Sequence, residues 1–385
     1  MREYIIAYRG NWIHFFIKPH IGLCSRKRNG FKFEEYEIVS LGATADFCVY
    51  SSGELIHVVC QDEKGSVLYL LYDGKVWKKT ILLESRTAKP YNKNFTMVNL
   101  SGYINLLYLV ENKEKVMLVH QILDSSSSPE VVAYIKNDAV PFCVCPHHHE
   151  TSFSVYYTDE NGMSCKQLYK WSQKKFLKTS PFEENLSIKF SEEFKEGHAL
   201  AATQKTGNIT TLIYVDKNNE KSPVYLDCRS DIIPVISEYG GKHYMVWTEH
   251  GSIMSSCLKS DGKWSKPMQY AKSSSTETKL YAVCTKGRYE YYYGTKREND
   301  ITLYGTHDIL KKPPSFSGSE DNAFAHFASH ETEKLLISQE KQIKLLCHEL
   351  SVQRQRLADL SEKIESLLNT VPIADEEAID NILLN

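Results

Sequence analysis

The stretch "DIIPVISEYGGKHYMVWTEHGSIMSSCLKSDGKWSKPMQYA", residues 231–271, decides the fold. It breaks at small polar turns into four runs: Asp231–Tyr239, then "GGK", His243–Glu249, then "HGS", Ile253–Ser260, then "DGK", and Trp264–Ala271. Each run is short, rich in Tyr, Val, Ile and Trp, and bounded by Gly, Asp or Ser. That is the pattern of antiparallel strands joined by tight hairpins. A single four-stranded sheet has two faces and cannot bury both by itself, so this unit needs neighbours of its own kind.

The neighbours are present. The run that follows the first turn recurs as "WIHFFI" (12–17), "LIHVVC" (55–60), "YINLLY" (103–108), "SFSVYY" (152–157), "HALAAT" (198–203), "HYMVWT" (243–248) and "RYEYYY" (288–293). Aligned, they place His14, His57, Asn105, Ser154, Leu200, Met245 and Glu290 in one column, at spacings of 43, 48, 49, 46, 45 and 45. Seven strand-built units of this period indicate a β-propeller, in which radially packed sheets bury one another's faces. The second unit reads as Asp46–Ser52, Glu54–Gln61, Val67–Asp73 and Val76–Glu84. The seventh offers only three strands, Thr278–Thr285, Tyr289–Lys296 and Ile301–Asp308, followed by "ILKKPPSF". The first unit has four strands of its own and none to spare. Closure is therefore expected through a three-stranded last blade or a short edge strand from Ile309 onward.

The sequence changes character near residue 320. No tryptophan follows Trp264, and 328–370 contains neither Gly nor Pro. The expected organisation is an all-β seven-bladed propeller over 1–310, a linker over 311–327, a coiled-coil α-helix over 328–370 and an acidic tail over 371–385. In the helix, Leu336, Ile343, Leu350, Leu357 and Ile364 fall at heptad position a. Leu346, Leu360 and Leu367 fall at d, with Gln339 and Gln353 in the same row. One apolar seam of that length calls for a partner helix, so self-association as a parallel dimer or trimer is expected.

Bulk properties narrow the partners. A formal net charge of −2 over 385 residues gives no global reason to bind nucleic acid or an anionic membrane. No apolar run has the length of a membrane span, and the first residues alternate in polarity without the layout of a secretory signal. Ten scattered cysteines, mostly inside apolar runs, suit free thiols in a reducing compartment. Cytoplasmic localisation is the expectation.

"CVCPHHHE" (143–150) has the composition of a metal site. In register with the other units, Phe142–Pro146 is a strand, Cys143 and Cys145 share one face of it, and "HHHE" fills the next turn. Consecutive histidines on a tight turn diverge, whereas metal ligands converge. No metal ligand, cofactor or catalytic residue is assigned. Glycine-rich phosphate loops, H-E-x-x-H and G-x-S-x-G are all absent from the chain. The polar members of the column are expected to bond neighbouring backbone. Tyr289, Tyr291 and Tyr293 are expected to share one face for packing between blades.

Two turns carry a family resemblance. "SDGKWSKP" (260–267) and "YDGKVWKKT" (72–80) resemble the Asp-box turns of sialidase-like and fucose-lectin-like propellers, with "RNGFKF" (28–33) and "WSQKKF" (171–176) as looser copies. In those families the motif is a folding element: Asp and Gly make the hairpin and the aromatic ring packs beneath it. A sialidase would also carry an Arg-Ile-Pro element. Here "DIIP" (231–234) has Ile in the arginine's place. A ligand site, if present, is expected at the mouth of the channel on the loops between units. Arg86, Tyr91, Arg229 and Asp231 combine charge with an aromatic surface there. The expected function is that of a non-enzymatic interaction or scaffold protein, a recognition head multiplied by its coil and binding a protein or glycan. The alternative is a glycan-binding propeller or a glycan-processing one of hydrolase or lyase type.

Overall fold

The structure is a computed structural model. It describes residues 2–304 except 30–31, 86–89, 113–114, 124–127, 139, 148–150, 195–196, 240, 273–277, 286 and 298–299. The linker, heptads and tail anticipated above lie outside the described residues, as does Arg86.

The described chain is built of strands in six sheets. Unit one holds β1 (Arg2–Tyr8), β2 (Asn11–Lys18) and β3 (Gly22–Asn29), with β4 (Lys32–Phe33) and β5 (Glu37–Leu41) sharing the outer side of β3. Unit two is β6 (Ala43–Ser51), β7 (Ile56–Asp62), β8 (Val67–Tyr72) and β9 (Trp77–Leu83). Unit three is β10 (Thr96–Leu100), β11 (Tyr103–Asn112), β12 (Lys115–Ile122) and β13 (Glu130–Ile135). Unit four is β14 (Phe142–His147), β15 (Ser152–Thr158) and β16 (Met163–Lys170), with β17 (Lys175–Phe176) and β18 (Ser180–Glu184) along its outer edge. Unit five is β19 (Leu186–Phe194), β20 (Gly197–Thr206), β21 (Ile209–Val215) and β22 (Lys221–Tyr225). Unit six is β23 (Val235–Tyr239), β24 (Lys242–Glu249), β25 (Ser252–Cys257) and β26 (Met268–Lys272). The last unit shows β27 (Thr278–Thr285), β28 (Arg288–Arg297) and β29 (Asp300–Tyr304) among the described residues.

Closure takes a form that no local pattern announced. β27 pairs with β1 in parallel, from Arg2 opposite Leu280 to Ile6 opposite Cys284. The first and last units thus merge into one eight-stranded sheet. The tyrosines of β28 then reach well beyond an adjacent blade. The Tyr289 hydroxyl donates to the Val49 carbonyl in unit two at 2.6 Å, and Tyr293 donates to the Ile233 carbonyl ahead of unit six. Tyr291 meets Phe190 of unit five edge-on at 5.3 Å. Packing between units accounts for this face as expected, and it engages units two and five as well as the neighbouring unit six.

The Asp-box-like turns behave as folding elements. Asp73 Oδ1 accepts from the backbone N–H of Lys75 and Val76 at 3.0 and 3.2 Å, and Trp77 stacks on Tyr72 at 4.9 Å. Gly74 sits at φ 96°, a conformation in which a side chain is strained. Asp261 accepts from Lys263 N at 3.1 Å in the matching turn, where the Trp264 indole donates to Ser222 Oγ at 3.0 Å. Asp62, Asp159 and Asp216 cap three other hairpins in the same way.

The aligned column is buried at His14, His57, Asn105, Ser154, Leu200 and Met245. Its polar atoms are satisfied mainly by side chains rather than by backbone. His14 Nε2 lies 2.7 Å from Glu3, and Arg26 Nε donates to His14 Nδ1 at 3.1 Å. His57 pairs with the Tyr69 hydroxyl at 2.8 Å, Asn105 with His120 at 2.9 Å and Ser154 with His147 at 2.9 Å. The cost of burying a polar group without a partner explains why these pairs form. The nine cysteines among the described residues are all free thiols.

Candidate functional site

The segments that enter the innermost strands converge on a cavity of about 660 Å³. Its wall draws on Arg2 and Tyr4 of β1, Asp46 and Phe47 of β6, Gln61 of β7, and Tyr91 in the connection to unit three. Phe142 of β14, Arg229 and Asp231 between units five and six, and Lys279 and Tyr293 of the last unit complete it. Three of the four residues singled out from sequence, Tyr91, Arg229 and Asp231, therefore share one cavity.

Arg229 and Asp231 form a two-pronged ion pair at the surface, with Nε to Oδ1 at 2.9 Å and an Nη nitrogen to Oδ2 at 2.6 Å. The hydrogen bond from Arg229 holds the Asp231 carboxyl below its usual range. Tyr91 is half-buried and fixed at three points. Its hydroxyl accepts from Glu111 N at 2.9 Å, its carbonyl accepts from Gln61 Nε2 at 2.9 Å, and the Lys93 ammonium lies 3.4 Å from its ring centroid.

Beneath Tyr91 is a group that sequence reasoning missed. Asp46 Oδ2 accepts from the backbone N–H of both Lys93 and Asn94. Burial pushes this carboxyl up to about 6 despite those donors. Lys93 is itself buried, and burial brings its ammonium down to about 8. Of this buried carboxyl and amine, Asp46 lines the cavity and Lys93 lies behind it against the Tyr91 ring. The available signal was the lone acidic residue inside the apolar run "ADFCVY".

Arg2 is the second omission. It lines the large cavity and also a narrower one of about 150 Å³ formed by β6, β10, β14, β19 and β28. Its guanidinium lies 5.2 Å from the Tyr291 ring centroid. Among the described residues no carboxylate forms a salt bridge with it. Lys279, nearby, is paired with Glu3 at 2.9 Å. Chemically the cavity offers aromatic faces, an unneutralised cation and amide or carboxyl groups at its rim.

No protein-family profile matches the chain, and no curated protein resembles it in sequence. Solved structures do resemble it in fold. A lectin from Burkholderia pseudomallei is similar at a TM-score of 0.55 and 8% identity, over 78% of this chain and 94% of that one. A polysaccharide lyase, an ulvan lyase bound to -[GlcA(1-4)Rha3S]-, is similar at a TM-score of 0.50 and 9% identity, over 81% of this chain and 95% of that one. A third similar structure is the Aleuria aurantia lectin in complex with alpha-methyl-L-fucoside, at a TM-score of 0.41 and 11% identity, over 74% of this chain and 96% of that one. The likeness to lectin-type propellers first suggested by two turns thus extends over most of the described chain as a likeness of fold.

Proposed function

We propose that this chain is a glycan-binding protein with a seven-unit propeller head, and that its ligand enters the cavity lined by Arg2, Asp46, Tyr91, Arg229 and Asp231. The observation that carries this reading is the cavity itself, a concave site where an aromatic ring and several polar groups converge from different units. Its size suits one or two sugar rings, and its ring faces and paired polar atoms suit the alternation of C–H and hydroxyl on a sugar. Lectin-fold neighbours support the glycan reading, whereas nothing comparable supports a purely protein-directed scaffold. Arg2 ranks acidic sugars above neutral ones, because it lacks a carboxylate partner among the described residues.

The heptads of 336–367 would add valence to such a head, and avidity would follow without any new contact. The test is a glycan array probed with the full chain, followed by titration of the strongest hit. Tyr91→Ala is expected to weaken binding at least tenfold, and Arg2→Gln is expected to remove the preference for acidic sugars. An array without hits, or a hit unaffected by both substitutions, overturns the reading.

A further inference from the structure

At the far end of β14 from the cavity, three side chains converge across two neighbouring units. His147 is the last residue of β14. Glu193 and His198 stand directly opposite one another in the β19–β20 hairpin. One ligand-capable atom from each lies within 4.8 Å of the other two. The His147 and His198 rings meet edge-to-face at 4.3 Å between centroids.

Alternation along β14 builds this arrangement. Cys143, Cys145 and His147 occupy every second position and so share one face. That face looks onto unit five: Cys143 Sγ lies 3.1 Å from Ser191 Oγ, and Cys145 Sγ lies 3.3 Å from His198 Nδ1. The sequence pattern puts His147 in a turn with His148 and His149, where successive side chains are expected to diverge. The strand in fact runs one residue further, and that residue carries the imidazole inward beside the two thiols. His148, His149 and Glu150 lie outside the described residues.

We infer that His147, Glu193 and His198 form a site for a divalent transition-metal ion of the zinc class, clamping unit four to unit five. Two imidazoles and one carboxylate are a donor set that zinc accepts, with a fourth position left for water. Bonds of about 2.1 Å require donors roughly 3.4 Å apart in a tetrahedron. The three groups must therefore close by up to about 1.4 Å, which side-chain rotation supplies. The orienting partners that metal-bound histidines need are in place. Ser154 Oγ lies 2.9 Å from His147 Nε2, so the metal would be taken through Nδ1. Cys145 holds His198 Nδ1, so Nε2 would serve there. His147 is buried while Glu193 and His198 are half-buried, which leaves the site reachable from solvent. It lies about 17 Å along β14 from Phe142 at the cavity wall, at ~3.3 Å per residue. The role that follows is to stiffen the ring, apart from any ligand in the cavity.

The experiment is zinc titration of the full chain by calorimetry, with melting recorded with and without zinc. The wild type is expected to bind one equivalent at this site and to melt at a higher temperature with zinc, because metal bound only to the native state stabilises it. His198→Ala and the near-isosteric Glu193→Gln are each expected to weaken that equivalent at least tenfold and abolish the melting shift. Melting without zinc reports whether these variants still fold. The double variant His148→Ala/His149→Ala is expected to keep both. A wild type that binds no zinc overturns the proposal. So does a His148→Ala/His149→Ala variant that loses the equivalent while Glu193→Gln retains it, since that would mark adventitious capture by those two histidines.

Discussion

Units one to four and units five and six solve the same packing problem with different chemistry. At equivalent positions of the second strand, His14, His57, Asn105 and Ser154 are followed by Leu200 and Met245, and all six are buried. The polar four are held by named side-chain partners. The apolar two rest in clusters with Ala202 and Val215, and with Trp247 and Ile253. Directional bonds fix the relation of one strand to the next, while apolar contact tolerates small changes of shape. The polar half should therefore be intolerant of losing one partner, and the apolar half should respond in proportion to the volume removed.

The largest effect is expected at His14. His14→Ala leaves Glu3 buried and still paired with Lys279, and removes the acceptor of Arg26 Nε. A loss of about 3–5 kcal/mol is expected, because two buried charged groups, the Glu3 carboxylate and the Arg26 guanidinium, each lose a hydrogen-bond partner. Urea unfolding measures it, and a loss under 1 kcal/mol would end the contrast between the halves. Met245→Ala comes next, at about 2–4 kcal/mol from lost burial and the cavity left behind, read in the same way. The smallest effect concerns pH. Burial holds His120 at about 4 instead of 6.5 and lowers His14 as well, against the pull of Glu3. The stability tied to these neutral rings is complete above pH 6.5 and is lost as pH falls towards 4. Asp46 works in the opposite direction. Its raised value of about 6 gives a contribution that is full below 3.8 and lost as pH rises through 6. Two rings outweigh one carboxyl, so the melting temperature should fall between pH 7 and 4.5. His120→Gln, which can still bond to Asn105, should make that fall shallower. An unchanged slope would show that the imidazole is not the titrating group.

Much of the architecture was legible because hairpins advertise themselves locally. The strand Thr278–Thr285 was bounded correctly by "TET" and "KGR", and the second unit's strands differ from expectation by a few residues at their ends. The fourth strand of unit six was placed too early. Trp264 makes only an isolated bridge to Leu258, Pro267 has no N–H to donate, and the ladder begins at Met268. The parallel join of β1 to β27 was not legible, since nothing in either strand encodes a partner so distant in sequence. The polar column was visible, but its satisfaction by side chains depended on which residues stand opposite, such as Tyr69 for His57. At the cavity, loop composition pointed to Tyr91, Arg229 and Asp231. Arg2 and Asp46 were hidden because a charged residue within a strand reads as solvent-facing until the strand's position in the ring is known.

The parallel seam between β1 and β27 also orders events during synthesis. β1 can pair with β2 as soon as that strand is made, but its other edge has no partner until β27 has followed. For that interval one edge of β1 is open to strangers, and Arg2 at its start and Arg9 just past its end are the kind of charge that discourages them. The β1–β27 seam therefore forms late, and substitutions in β1 should show first as slow maturation or aggregation of nascent chains rather than as a weaker finished molecule.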